Sequence, residues 1–202
     1  MPIHSKIIPN PEALILVWAI TEDEEALKSG LSEEIIADLD AIKFPGRRKQ
    51  WLAIRQLVHW INPSLKISYD SKGKPVLESG YISISHTSHF AAVYYHPEIP
   101  TGIDLEEKNE RIFKITNRFI NSDEREMHNT SDLETATLIW SAKEAVFKKT
   151  GEDTTFFASC QTIRSINNDL RNLEVQIKNK GVEGTERLAY HFFDNHILTY
   201  TI

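Results

Sequence analysis

Gly102-Ile-Asp-Leu-Glu106 reads as an extended strand, in which successive side chains point to opposite faces. Ile103 and Leu105 are then expected on the core face and Asp104 and Glu106 together on the other, about 7 Å apart at Cα. Two carboxylates this close repel unless a cation lies between them; with none, the pattern is simply an exposed strand face. A second acid stands out on the helical pattern from Leu133 to Thr150. Its inward stripe is Leu133, Ala136, Thr137, Trp140 and Phe147, and Glu144 falls on that stripe. An ionised carboxylate there needs a partner. Lys148, one turn on, supplies one in the favourable order. A salt bridge explains that pair, but not why an acid interrupts an apolar face. If Glu144 meets the strand, three carboxylates converge into an all-oxygen site suited to Mg²⁺ or Mn²⁺ over Zn²⁺. Magnesium commonly shares its open positions with substrate phosphates, and a nearby lysine offsets charge on a departing phosphate. The chemistry is metal-assisted phosphoryl-type transfer. His86 closes the run Ser83-Ile-Ser-His86 and is either a strand-tip group for a phosphate oxygen or a surface histidine.

The elements that must position these residues can be read along the chain. Ala13–Ile20 reads as a strand. Thr21 and Ser32 are candidate caps for two short acidic helices, the first ending at Gly30. Arg47–Ile61 is a helix with Trp51, Ile54, Leu57, Val58 and Ile61 on one face, stopped by Asn62-Pro63. Strand patterns follow at Lys66–Tyr69, Tyr81–Ser85 and Phe90–His96, with a turn at residues 70–75. After Pro97 and Pro100 come a strand, Thr101–Glu106, and helical patterns near Ile112–Phe119 and Asp123–His128. The long helix then ends at Gly151. The tail from Phe156 to Ile202 alternates as strands do, with a hairpin turn near Asp194-Asn195. Strands and helices fill both halves, so two α+β lobes are expected, residues 1–98 and 99–202.

Composition narrows the class. The chain has 202 residues, 41% hydrophobic and 26% charged, which fits ordinary globular structure. Its net charge of −6 excludes a globally basic nucleic-acid binder. Within that balance, Lys43 to Lys74 holds eight Lys or Arg against Asp70 alone, so this segment is +7 and the remainder −13. Such a segment is either a solvated helix face or a site for a polyanionic ligand or acidic partner. One cysteine, Cys160, permits no disulfide within the chain and suits a reducing compartment. No apolar run reaches membrane-spanning length and no signal-peptide pattern is present, so a cytoplasmic protein is expected. P-loop, dinucleotide, nucleophile-elbow and zinc-protease motifs are all missing.

Gly102-Ile-Asp-Leu-Glu106 followed by Trp140-Ser-Ala-Lys-Glu-Ala145 and Lys148 resembles the signature of the 4′-phosphopantetheinyl transferases, most closely the two-lobed surfactin synthetase-activating type. Ser83-Ile-Ser-His86, Gly73-Lys-Pro75, Arg118-Phe119 with Glu124, and Trp51-Leu-Ala-Ile-Arg55 are similar to further family segments in the family's order. Ile120 departs from it where a second Phe is common, and Thr87 where Ser is frequent. The resemblance implies a fused pseudo-dimer of two similar lobes, each an antiparallel sheet packed with helices, with the site in the cleft between them. It implies transfer of 4′-phosphopantetheine from coenzyme A to a carrier-protein serine, releasing adenosine 3′,5′-bisphosphate. Asp104, Glu106 and Glu144 would hold Mg²⁺, with Mn²⁺ as a substitute. Glu144, or Glu106 through a water, would take the serine proton, and Lys148 would offset charge on the pyrophosphate. His86 would bind the pyrophosphate, and Arg48, Arg55 and Lys74 would meet the 3′-phosphate and adenine, with the choice among Arg47, Arg48 and Lys49 open. The partner would be an acidic acyl or peptidyl carrier protein, with neither nucleic acid nor membrane, and the protein a monomer. The rival readings are a Mg²⁺-dependent phosphohydrolase or nuclease using the same carboxylates, and a non-catalytic coenzyme A or carrier-binding module.

Overall fold

Alternation and capping account for most of the elements. The computed structural model describes residues 3–151, 157–179 and 182–202, and the chain divides into two compact units, Met1–Pro100 and Thr101–Ile202. In the first, strands β1 (Ile3–Ile7) and β2 (Leu14–Ala19) precede helices α1 (Glu24–Lys28) and α2 (Glu33–Ala37). A 3₁₀ turn (Asp38–Ala41) and α3 (Pro45–Ile61) follow, then β3 (Ser68–Tyr69), β4 (Pro75–Val76), β5 (Tyr81–His86) and β6 (Phe90–His96). The main sheet is antiparallel in the order β1-β2-β6-β5. Helix α3 packs on β2 and β6 and buries Leu52, Ala53, Ile54, Leu57 and Val58 against Leu16, Ala91 and Val93.

Local chemistry moves several boundaries from those read in the sequence. Helix α3 starts two residues early, because Pro45 occupies a first-turn position where its missing N–H costs nothing. The cap of α1 is Asp23, not Thr21: its carboxylate accepts the Ala26 N–H at 2.8 Å. Ser32 caps α2 as expected. His86 is the last residue of β5.

The second unit contains β7 (Ile103–Glu107), a 3₁₀ turn (Glu110–Lys114), α4 (Thr116–Phe119), α5 (Ser122–Met127), α6 (Leu133–Thr150) and α7 (Phe157–Cys160). Strands β8 (Gln161–Asn167), β9 (Asn172–Asn179), β10 (Val182–Phe193) and β11 (His196–Thr201) complete it. Its antiparallel sheet has the order β7-β11-β10-β9-β8. The expected tail of strands begins at Phe156, which lies outside the described residues; Phe157–Cys160 is helical and β8 starts at Gln161. Helix α6 is capped by Asp132 and closed by Gly151, whose left-handed φ of 67° lets its N–H reach the Phe147 carbonyl at 2.8 Å. It packs on β7 and β11.

The stripe expected on α6 is displaced. Leu138, Ile139, Ala142, Lys143, Ala145 and Val146 are buried along with Ala136 and Thr137, whereas Leu133, Trp140, Glu144 and Phe147 are only half-buried. The helix is covered nearly all round, and Glu144 lies at the edge of the buried surface. Both units are therefore α+β, each an antiparallel sheet packed with helices. No helix among the described residues is long and apolar enough to cross a membrane.

Candidate active site

Asp104 and Glu106 face α6. Asp104 pairs across the sheet with Thr199 and Glu106 with Ile197, and Ile197 belongs to the hydrophobic core of this unit. Ile103 and Leu105, on the other face, are buried as expected; the acidic face of β7 is not exposed but is covered by the helix. Lys148 Nζ donates to Asp104 Oδ1 at 2.6 Å, and Trp140 Nε1 donates to Glu106 Oε1 at 2.8 Å. Trp140, Glu144 and Lys148 follow one another at one-turn intervals on α6, so the contacts to Glu106 and Asp104 bracket Glu144. Backbone contact sets the spacing. A Cβ on Gly102 would lie 1.9 Å from the Ala145 carbonyl oxygen, so only glycine lets the strand come this close to the helix. Ser141 Oγ and Thr199 Oγ1 share a buried hydrogen bond at 2.6 Å one turn below.

The electrostatics follow from this crowding. Burial pushes Glu106 up to about 7, helped by the negative charge of Asp104 and opposed by the Trp140 N–H and by Lys148. Burial and Asp104 also push Glu144 up to about 7, with Lys148 opposing. Three carboxylates against one lysine leave surplus negative charge in a partly desolvated place. The donor set is of the type that a hard divalent cation takes. It is oxygen only, and the repulsion that makes two of its members hold protons more tightly favours any cation competing for the same lone pairs.

A second group of residues supports this wall and was not legible as such. Lys143 and Glu124 are both fully buried. The ammonium donates to Glu124 Oε2 at 2.8 Å, to the Phe119 carbonyl at 2.5 Å and to the Gln161 carbonyl at 2.8 Å. Burial pushes Lys143 down, with Glu124 opposing. Glu124 also accepts the backbone N–H groups of Ile163 and Asn121, at 2.7 and 2.9 Å. The pair ties α4, α5, α6 and β8 together at the residue next to Glu144 in the chain. The acidic residue of the Arg118-Phe119…Glu124 segment is thus a structural ion-pair partner.

In the first unit the basic residues divide by what they touch. Arg48 donates to both oxygens of Glu24 at 2.7 Å and to the carbonyls of Leu39 and Ile42 at 2.6 and 3.2 Å. Its hydrogen bonds hold Glu24 down at about 2. Lys49 donates to the Glu22 carbonyl at 2.8 Å. Arg47 is exposed at the start of α3, and its guanidinium meets His86 Nε2 at the end of β5. Arg55 is 8% exposed. It stacks on Trp51 with its guanidinium carbon 3.8 Å from the ring centre and donates to Tyr69 Oη at 3.2 Å. No other acceptor reaches it among the described residues, although a guanidinium carries five N–H groups. Burial pushes Arg55 down, and the charge of Arg47 adds to this. It lines a pocket of about 100 Å³ with Glu34, Asp38, Trp51 and Lys66. Tyr69 pairs with Pro75 across the β3–β4 hairpin, which brings Lys74 to the same corner. Burial pushes Lys74 down, and Asp70 opposes this.

Comparison with curated proteins gave no match. Residues 100–201, about half of the chain, match the sequence profile of the 4′-phosphopantetheinyl transferase superfamily. The matched span opens just before Gly102 and closes in β11. It therefore contains the close strand–helix contact, the three carboxylates and Lys148, so on the profile match the chain belongs to the 4′-phosphopantetheinyl transferase superfamily.

Proposed function

We propose that the chain transfers the 4′-phosphopantetheine group of coenzyme A to a serine hydroxyl of an acyl or peptidyl carrier protein, releasing adenosine 3′,5′-bisphosphate. The observation that carries this reading is the gathering of Asp104, Glu106, Glu144 and Lys148 between β7 and α6. In the proposed step the serine oxygen bonds to the β-phosphorus of coenzyme A. The bond from that phosphorus to the bridging oxygen breaks, and the serine proton passes to Glu144, or to Glu106 through a water. An ionised carboxylate beside the attacking hydroxyl is a general base of the right type. Asp104, Glu106 and Glu144 would hold Mg²⁺, with Mn²⁺ as its substitute. A divalent ion there supplies Lewis-acid neutralisation of pyrophosphate charge. Lys148 would offset charge on the departing phosphate.

In the first unit, Arg55, Lys74 and His86 would bind the coenzyme. Arg55 has unused donors toward its pocket and an aromatic face on which to stack, which suits the adenine and 3′-phosphate end. The commitment of Arg48 to Glu24 favours Arg47 as the further phosphate contact, since Arg47 lies beside His86 and its charge is felt at Arg55. An acidic carrier suits the basic Lys43–Lys74 segment. A monomer acting in the cytoplasm completes the reading. Its test is chromatographic detection of adenosine 3′,5′-bisphosphate after incubation with coenzyme A. Release that requires both apo-carrier and Mg²⁺ supports transfer; release without carrier points to a phosphohydrolase instead.

A further inference from the structure

We infer that Trp140 is a positioning residue for the carboxylate site: its indole N–H fixes one oxygen of Glu106 and so orients the other toward a bound cation. The inference rests on the proposed reading of Asp104, Glu106 and Glu144 as a divalent-ion site. The Nε1 to Oε1 distance is 2.8 Å, that of a strong hydrogen bond to a charged acceptor. The ring that delivers it is itself held. Phe119 meets it edge-on with centroids 5.1 Å apart, and Phe157 does so at 5.6 Å. Phe157 rests in turn on Phe147 at 5.9 Å. Phe119 is fully buried, and its carbonyl receives the Lys143 ammonium. A rigid path therefore runs from the buried Lys143–Glu124 pair through Phe119 and Trp140 to one oxygen of Glu106.

Packing alone does not call for an indole here. A phenylalanine would fill most of the same space between two aromatic rings, and the N–H is what the tryptophan adds. Glu106 is under pressure from the charges of Asp104 and Glu144, which would swing an untethered glutamate away from them. The N–H holds it in place. Groups that orient a ligand in this way commonly govern metal affinity by about 10- to 100-fold. Helix α6 thus supplies Glu144 as one ligand and, one turn earlier, the group that aims another.

The test is Mn²⁺ binding by titration calorimetry on the full chain, with coenzyme A present and no carrier, so that no turnover contributes. Trp140→Phe should bind Mn²⁺ about 10- to 100-fold more weakly while keeping the wild-type melting temperature. In a Glu106→Ala background the same substitution should add no further loss, because the acceptor it serves is gone. Should Trp140→Phe melt early, benzothienylalanine at position 140 replaces the N–H by sulfur at nearly constant shape and carries the same comparison. Wild-type affinity in the N–H-free variant overturns the inference and leaves the carboxylate site standing. Equal losses with and without Glu106 also overturn it, since they mark a packing effect. Failure of the wild type to bind Mn²⁺ removes the carboxylate reading itself, and the inference with it.

Discussion

Without a divalent ion, the second unit should lose stability as pH rises through neutrality, and Glu106 and Glu144 are the cause. Each stands at about 7 in the folded chain against an ordinary value of 4.5. Between those values the folded state holds protons that the unfolded chain has released. Stability therefore falls with rising pH across that window and levels off above it. A separation of 2.5 pH units at about 1.36 kcal/mol each gives roughly 3.4 kcal/mol per carboxylate as a ceiling. The two are not independent, because each feels Asp104 and Glu106 also feels Glu144. A joint effect of about 3–5 kcal/mol is expected, or some 6–20 °C in melting temperature for a chain of this size. The assay is thermal and urea unfolding from pH 4.5 to 8.5 in EDTA, on the wild type and on Glu106→Gln/Glu144→Gln. The double variant should be flatter across the window and more stable than wild type at pH 8. Mg²⁺ should stabilise the wild type more at pH 8 than at pH 6, where protons compete for the same oxygens. Equal pH slopes in the two proteins would refute the placement of these carboxylates in a crowded, desolvated site.

Other expectations concern the supports. Lys143→Met leaves Glu124 buried without its counter-charge and should cost about 3–5 kcal/mol in urea unfolding, with much of it recovered by adding Glu124→Leu; a neutral single variant would mean the pair is not sealed from water. Gly102→Ala drives a methyl group into the Ala145 carbonyl and should cost about 1–3 kcal/mol or more, measured by the same method. Arg47→Ala and Arg55→Ala should raise the KM for coenzyme A more than that for its 3′-dephospho analogue, whereas Arg48→Ala should lower the melting temperature and leave that ratio unchanged. Equal effects on both substrates would remove Arg47 and Arg55 from the 3′-phosphate.

What could be read in the sequence, and what could not, divides along the range of the interactions. Helix α6 and strand β6 carry their limits in local pattern and caps, and Leu133–Thr150 and Phe90–His96 are found where periodicity and Gly151 put them. The first strand, Ile3–Ile7, is a short edge strand with a half-exposed alternation, too weak a signal beside the apolar run of β2. Alternation in Gly102–Glu106 separates two faces but does not say which one a helix will cover; that depends on the touch between Gly102 and Ala145, 43 positions apart. A lysine and a glutamate inside helices read as surface residues. Lys143 and Glu124 become a buried pair only because α5 and α6 fold together. The Trp140–Glu106 hydrogen bond spans 34 residues and the Arg48–Glu24 pair 24; neither has a local signal.

The most direct test is the intact mass of an apo acyl carrier protein after incubation with this protein, coenzyme A and Mg²⁺. Parallel reactions would contain EDTA or the Glu144→Gln variant. A gain of one phosphopantetheine on the carrier serine, lost with EDTA and slowed severely by Glu144→Gln, is the predicted result. An unmodified carrier across fatty-acid, polyketide and peptide types, with coenzyme A bound and intact, would contradict it.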